Sequence, residues 1–314
     1  MNYLCKSIEL KLHYYTNKIN LGDALNPVLI HDLFGIKTKP ASITEAQLQA
    51  IGSVLQHLVC FKSKKHKYID THIQDQPIHI YGTGFIKSFN ARTRSFKRPV
   101  EIHALRGKLT KNLCEIILNK KIDCVLGDAG LLAPLLLDRK PEDINIHSMD
   151  KSSIIAKIRD TFAHLLANNH QSKKYKLGII PHYVDKKHFV VKKIQRTVRK
   201  SVVVDVLSPV YDCLRLIAQC ETVLSSSLHG CIIADAFGIP NQWFECSDKV
   251  FGSGFKFHDY YSAYDIYNVE ALDFRNAETA KIPTVNQIID NYRVQYSDVR
   301  QKQQQLLDCF PFKV

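Results

Sequence analysis

The segment Ser225-Ser226-Ser227-Leu228-His229-Gly230 places three hydroxyls, an imidazole and a glycine where an apolar strand pattern gives way to a helical one. The first turn of a helix leaves N–H groups without intrahelical acceptors, and its aligned peptide dipoles favour negative charge. A phosphate or carboxylate therefore fits against residues 225–230. His229 would face the same anion, and an imidazole, with a reference pKa of about 6.5, exchanges protons near neutral pH. The structural alternative is a serine N-cap followed by a packed histidine.

Open α/β sheets bind ligands beyond the carboxyl ends of their strands. Small and charged residues recur there. Gly52 follows 48–51, Gly82 and Gly84 follow 78–81, and Arg106-Gly107 follows 100–105; Gly127-Asp128 follows 122–126, and Pro181-His182 follows the strand that begins at Tyr175. Gly82-Thr83-Gly84 lacks the third glycine and the acid of a dinucleotide fingerprint, and no P-loop, HExxH or G-x-S-x-G motif occurs. The histidines show no metal-ligand spacing. His258 and Asp259 read as part of a surface loop, so no metal is expected.

The elements that would carry these residues alternate. Strands are expected over Ile8–Tyr15, Ile78–Tyr81, Val100–Leu105 and Ile122–Leu126, then over Tyr175–Pro181, Val202–Val206, Thr222–Ser225 and Asn241–Phe244. Helices are expected over Asp23–Leu33, Leu109–Asn119, Ser152–Leu166, Pro209–Gln219, Gly230–Phe237 and Val285–Leu307, with an aromatic-rich loop over Phe251–Tyr267. Strands separated by helices of this length point to parallel sheets in an α/β fold. The polar stretches between Leu135 and Ser172 suggest a crossing between two domains, 1–150 and 151–314.

The 314 residues include 43 Lys and Arg against 30 Asp and Glu, a net charge of +13 that favours an anionic partner. Basic clusters lie at Lys62, Lys64, Lys65 and Lys67, at Arg92, Arg94, Lys97 and Arg98, and along 186–200. The nine cysteines form no CxxC pair, the pattern of buried reduced thiols in a cytoplasmic protein. No apolar run approaches the roughly 20 residues of a membrane span, so any membrane contact is expected to be peripheral.

Six segments in order carry a family resemblance. They are Asn20-Leu21-Gly22-Asp23-Ala24-Leu25-Asn26, Tyr81-Gly82-Thr83-Gly84, Arg106-Gly107-Lys108-Leu109-Thr110, Gly127-Asp128-Ala129-Gly130-Leu131-Leu132, Ile180-Pro181-His182-Tyr183 and Ser225–Gly230 with Ala234, Gly238 and Pro240. In these the chain resembles the polysaccharide pyruvyl transferase family, with Ala129 where a proline is usual and Ser227 where many members carry arginine. The resemblance implies two Rossmann-like domains in a GT-B-like arrangement. The first would be the acceptor side and the second the donor side, with a terminal helix able to pack back on the first.

The implied reaction moves a pyruvyl group from phosphoenolpyruvate to a sugar of a surface polysaccharide or its polyprenyl-diphosphate-linked precursor. It forms a cyclic ketal and releases phosphate, without a cofactor. The implied setting is the cytoplasm, at the inner face of an anionic membrane, with no nucleic-acid partner. His229 would be the acid/base, and Asp23 or Asp128 would act on an acceptor hydroxyl. Substrate contacts would come from Asn20, Gly22, Gly82, Gly84, Arg106, Gly107, His182, Ser225, Ser226, Ser227 and Gly230. Lys249 or Lys256 would supply the charge that Ser227 does not. A nucleotide-sugar glycosyltransferase of similar architecture and a non-catalytic basic module for glycan or nucleic acid are the rival readings.

Overall fold

Short apolar runs separated by amphipathic segments condense into two parallel sheets in a computed structural model that describes residues 9–63, 76–137, 173–276 and 281–312. Eight strands precede the long gap: β1 (Leu10–Leu12), β2 (Thr38–Pro40), β3 (Leu48–Gln49), β4 (Val59–Phe61), β5 (Ile78–Tyr81), β6 (Arg94–Phe96), β7 (Val100–Leu105) and β8 (Val125–Leu126). Six of them form one sheet in the order β2-β1-β3-β5-β7-β8, with every pair parallel, while β4 and β6 make a separate antiparallel ribbon.

The second sheet holds β9 (Tyr175–Ile180), β10 (Ser201–Val203), β11 (Cys220–Ser225), β12 (Asn241–Glu245) and β13 (Leu272–Asp273) in the order β10-β9-β11-β12-β13, again all parallel. Both sheets therefore share one topology. The first strand is flanked by the second on one side and the third on the other, so the winding reverses between first and third. Such a reversal opens a crevice at the carboxyl ends of those strands.

Helices α1 (Leu21–Phe34), α2 (Lys108–Leu118), α3 (Phe189–Thr197), α4 (Val210–Ala218), α5 (Leu228–Ala236), α6 (Phe255–Ser262), α7 (Val285–Asn291) and α8 (Tyr296–Asp308) cover the sheets. Several depart from expectation. The aromatic-rich loop contains α6, because Phe257, Tyr260 and Tyr261 fall on one buried face and Gly254, at φ 76°, turns the chain into the helix. Asp259 is thus fully buried rather than at a surface loop. The single terminal helix is two, broken at 292–295, where Tyr292 leaves helical geometry and donates its hydroxyl to Asp235. The expected strand over Ile8–Tyr15 shrinks to Leu10–Leu12, and that over Ile122–Leu126 to its last two residues. The expected helix over Ser152–Leu166 and the crossing near 150 lie outside the described residues, as do Lys64, Lys65 and Lys67.

Helix α1 continues through Pro27, which cannot donate to the carbonyl four residues earlier. The Asn26 amide compensates: it donates to the carbonyls of Asp23 and Gly22, and also to that of Ile51. In return the Asn26 carbonyl oxygen accepts from Ile51 N–H at 2.9 Å, which ties α1 to the loop after β3. Parts of the basic clusters prove structural. The Arg98 guanidinium donates to backbone carbonyls of Ile43, Thr44, Ala46 and Gln76, and Arg94 stacks 3.3 Å from the Phe61 ring centre. All eight cysteines among the described residues are free thiols, six of them buried.

A polar seam joins the first sheet to α6. Arg106 is fully buried and donates to Asp259 Oδ2 at 2.8 Å, to Ser53 Oγ at 2.6 Å and to the Phe85 carbonyl. The same carboxylate accepts from the Thr110 N–H and hydroxyl, each at 2.7 Å. Gly107 makes this closeness feasible, since a Cβ there would lie 1.6 Å from the Asp259 carbonyl oxygen. Helix α8 spans the other side: Lys302 donates to the Leu126 carbonyl, Gln303 to those of Leu131 and Ala236, and its own Leu306 carbonyl accepts from the Tyr81 hydroxyl.

Removing one member of a buried ion pair strands the other. Asp259→Ala is expected to cost about 3–5 kcal/mol of unfolding free energy in a urea titration. Replacing Arg106 and Asp259 together by apolar residues should recover much of that loss.

Candidate active site

The two winding reversals face one cleft of about 310 Å³. From the first sheet come Tyr15, Asn20 and Asp23 after β1, Gly52, Ser53, Val54 and His57 after β3, and Ile86 after β5. From the second come His182, Tyr183 and Val184 after β9, Ser227, Leu228 and His229 after β11, and Lys249, Phe251 and Lys256 after β12. Every wall is a strand's carboxyl-terminal continuation, which is where a doubly wound sheet presents loops and helix N-termini to a ligand.

The Asn20–Asn26 segment earns its place by capping. Asn20 is the extended N-cap of α1; its side-chain oxygen accepts from the helix's first-turn amides, and its own N–H donates to Asp23, completing a reciprocal capping box. That box holds the Asp23 carboxylate at the cleft wall. Gly22 meets the His229 ring so closely that a Cβ there would lie 2.0 Å from Nδ1. The first turn of α1 and the first turn of α5 are therefore in direct contact through a glycine and an imidazole.

Burial sets the charge states. His229 is 8% exposed, and desolvation, then Arg106, Lys256 and His182, lowers its pKa to about 3. Burial with Lys256 and Lys18 nearby likewise brings His182 down to about 3. Both rings are neutral at pH 7. Asp128 stands behind His229, with Oδ2 3.9 Å from Nε2, and neither atom has a hydrogen-bond partner among the described residues. Complete burial raises Asp128 to about 7, against the lowering effects of the Gly130 N–H and Arg106. Burial also raises Asp23 to about 7, opposed by Asn20 and Lys256. Lys256 is lowered to about 8 by desolvation and by Arg106. Its ammonium makes no ion pair among the described residues, and Lys249 sits exposed on the same wall. The cleft thus holds lysine charge beside neutral imidazoles, with Asp23 at its wall and Asp128 behind it both titrating near neutrality, an arrangement suited to an arriving anion.

Several expected contacts lie behind this wall. Ser225 is fully buried, with Oγ within bonding reach of the Ile180 and Ser227 carbonyls and accepting from the Ser227 N–H. Ser226 Oγ accepts from the His182 N–H at 2.8 Å, fixing the loop after β9 against the loop after β11. Gly230 packs on Ser225 Oγ and Ile180. Gly82, Gly84 and Gly107 are buried at close approaches to Ala129, to the Arg106–Asp259 pair and to α6. Arg106 is committed to its ion pair rather than to the cleft surface. Of the three serines 225–227, Ser227 alone lines the cleft.

His57 escaped the sequence reading, and its partner explains it. His13 Nδ1 lies 3.0 Å from the Ala41 carbonyl, and His13 Nε2 lies 2.9 Å from His57 Nδ1. A carbonyl only accepts, so His13 Nδ1 must carry hydrogen. Burial, with Lys97 nearby, lowers the pKa of both rings, so both are neutral at pH 7. Neutral His13 then offers a lone pair at Nε2, and His57 Nδ1 must donate to it. His57 Nε2 is left as a bare lone pair on a cleft-lining ring, competent to accept a proton. The two histidines are 44 residues apart, and no local spacing signals the pair.

Fold and cleft define a parallel α/β protein that gathers an anion-attracting pocket between two strand-end clusters. The sequence profile of the family described as polysaccharide pyruvyl transferase matches residues 20–248, and the chain belongs to that family. Its activity is accordingly that of a polysaccharide pyruvyl transferase, with a polysaccharide acceptor. An uncharacterized protein of Acanthamoeba polyphaga mimivirus is 26% identical over 270 residues, spanning 82% of this chain and 75% of that one. No solved structure matches the chain. Among the described residues no helix is long and apolar enough to cross a membrane.

The tautomer assignment is open to measurement. Nitrogen-15 shifts at pH 7 should show hydrogen on Nδ1 of both His13 and His57; an Nε2-protonated His57 would contradict it. Gly22→Ala should displace the His229 ring, read as a shift of its imidazole nitrogen-15 signals, with far-UV circular dichroism unchanged.

Proposed function

We propose that the protein transfers the pyruvyl group of phosphoenolpyruvate to a sugar, forming a cyclic ketal and releasing phosphate. The observation that carries this reading is the cleft itself: Lys256 and Lys249 beside three neutral histidines and Asp23 with its raised pKa, with Asp128 behind His229. A donor with a carboxylate and a phosphate needs such cations and a proton source. Lys256 and Lys249 supply the charge that Ser227 does not. The two strand-end clusters support a GT-B-like division, the second sheet holding the donor and the first the acceptor.

The steps follow from the charges. A donor anion bound against His229 favours the ring's protonated form, so it draws a proton onto His229 against the burial that otherwise keeps the ring neutral. His229 then protonates the enol methylene carbon. This makes C2 electrophilic, and a sugar hydroxyl adds to it. Phosphate departs with its C–O bond electrons, and the second hydroxyl closes the ketal. Asp23, at the cleft wall with a pKa of about 7, accepts a hydroxyl proton near neutrality, and His57 Nε2 is the second acceptor. Asp128, behind the ring, positions His229 and balances its charge once it is protonated. The acceptor is a sugar of a surface polysaccharide or its polyprenyl-diphosphate-linked precursor. The net charge of +13 favours work at an anionic membrane face.

Phosphate release from phosphoenolpyruvate, measured with a panel of free and lipid-linked sugars, tests the reading directly. Turnover is expected with phosphoenolpyruvate, and His229→Ala should lower kcat by about 10²–10⁴-fold. Release of nucleotide from a nucleotide sugar, with no turnover of phosphoenolpyruvate, would overturn it. Lys256→Met should raise the KM for phosphoenolpyruvate more than it lowers kcat. Wild-type affinity for the donor should fall as pH rises through about 8, where Lys256 loses its charge.

A further inference from the structure

We propose that His79, Glu101 and His103 form a binding site for a divalent transition-metal ion of the zinc class, separate from the cleft. The first sheet builds the site through its register. His79 on β5 is the direct partner of Glu101 on β7, and His103, two residues further along β7, points to the same face. His79 Nδ1 and His103 Nε2 are 2.9 Å apart. The Glu101 carboxylate oxygens lie 3.6 Å from each of those nitrogens. One donor atom from each residue fits within a mutual span of 4.8 Å.

These separations suit a shared ion. Zinc with ligands at about 2.0–2.1 Å in a tetrahedron holds its donors about 3.3–3.4 Å apart, between the observed values. Two imidazoles and one carboxylate favour zinc-class ions, whereas magnesium and calcium prefer oxygen donors throughout. The imidazoles are largely sheltered, with side chains 21% and 18% exposed, and Glu101 at 54% stands on the solvent side of the site. Phe312 meets the His79 ring edge-on at 5.0 Å, so the site abuts the C-terminal segment. His103 also lines an open cleft of about 820 Å³ with Asp123, Cys124, Asp308 and Cys309, which gives water or a further donor access to a fourth position. No residue of that cleft lines the candidate active site. An ion here would fasten β5 to β7 beside the chain's last residues.

The test uses the whole chain, stripped with a chelator and titrated with Co²⁺ while its visible absorption is followed. One equivalent should produce bands of tetrahedral or five-coordinate cobalt, displaced by one equivalent of Zn²⁺ and indifferent to Mg²⁺. His79→Ala and His103→Ala should abolish the bands. Glu101→Gln, at a half-exposed position that leaves the fold intact, should weaken cobalt affinity at least about tenfold, and circular dichroism confirms the fold of each variant. Bands that persist unchanged in all three variants, or their absence from the wild type at micromolar Co²⁺, would overturn the site.

Discussion

The buried pair of Arg106 and Asp259 sets where the cleft's charge can stand. Arg106 leaves the end of β7, and Asp259 lies on α6, one turn from Lys256. Two ions fully out of water are tolerable only when their remaining hydrogen-bonding groups are met. Thr110, Ser53 and the Phe85 carbonyl meet them here. The result fixes α6 against the first sheet and delivers the Lys256 ammonium to the cleft. Arg106 in turn lowers the pKa of both Lys256 and His229. The arginine that the resemblance places in contact with substrate is thus fully buried in this pair, and bears on the cleft through the helix it anchors and the field it projects.

Around that seam the two sheets contribute equivalent parts. Each reverses its winding between its first and third strands, and each sends the following loops into the same space. The halves also meet closely at Gly22 and His229, where α1 and α5 begin. The capping box of α1 and the Ser226–His182 link set the backbone on each side, so the imidazole is held between two helix starts. Their dipoles favour negative charge, and burial keeps the ring neutral until such charge arrives.

Much of this was legible in the sequence, and the reasons differ by residue. The alternation of apolar runs and the helix entrance at Ser225–Gly230 are local patterns, and both appear where the spacing puts them. Asp23, His182, Ser227, Lys249 and Lys256 all line the cleft. What was hidden depends on pairing between distant segments. His57 takes a defined tautomer only through His13 and the Ala41 carbonyl, and His79 meets Glu101 only through strand register. Helix α6 looked like a loop because its aromatic residues are dense and its start is a glycine turn; its buried Asp259 is intelligible only beside Arg106. The serines read as ligand contacts are mostly consumed by backbone partners, a competition for hydrogen bonds that no motif reveals.

An anionic donor entering this cleft should bring protons with it. The number of protons taken up when phosphoenolpyruvate binds follows from calorimetry at pH 7 in buffers of different ionisation enthalpy. A net uptake is expected, as the His229 and His182 rings shift upward against the donor's charge, with a smaller uptake for His229→Gln. Binding with no proton uptake, or with release, would contradict it.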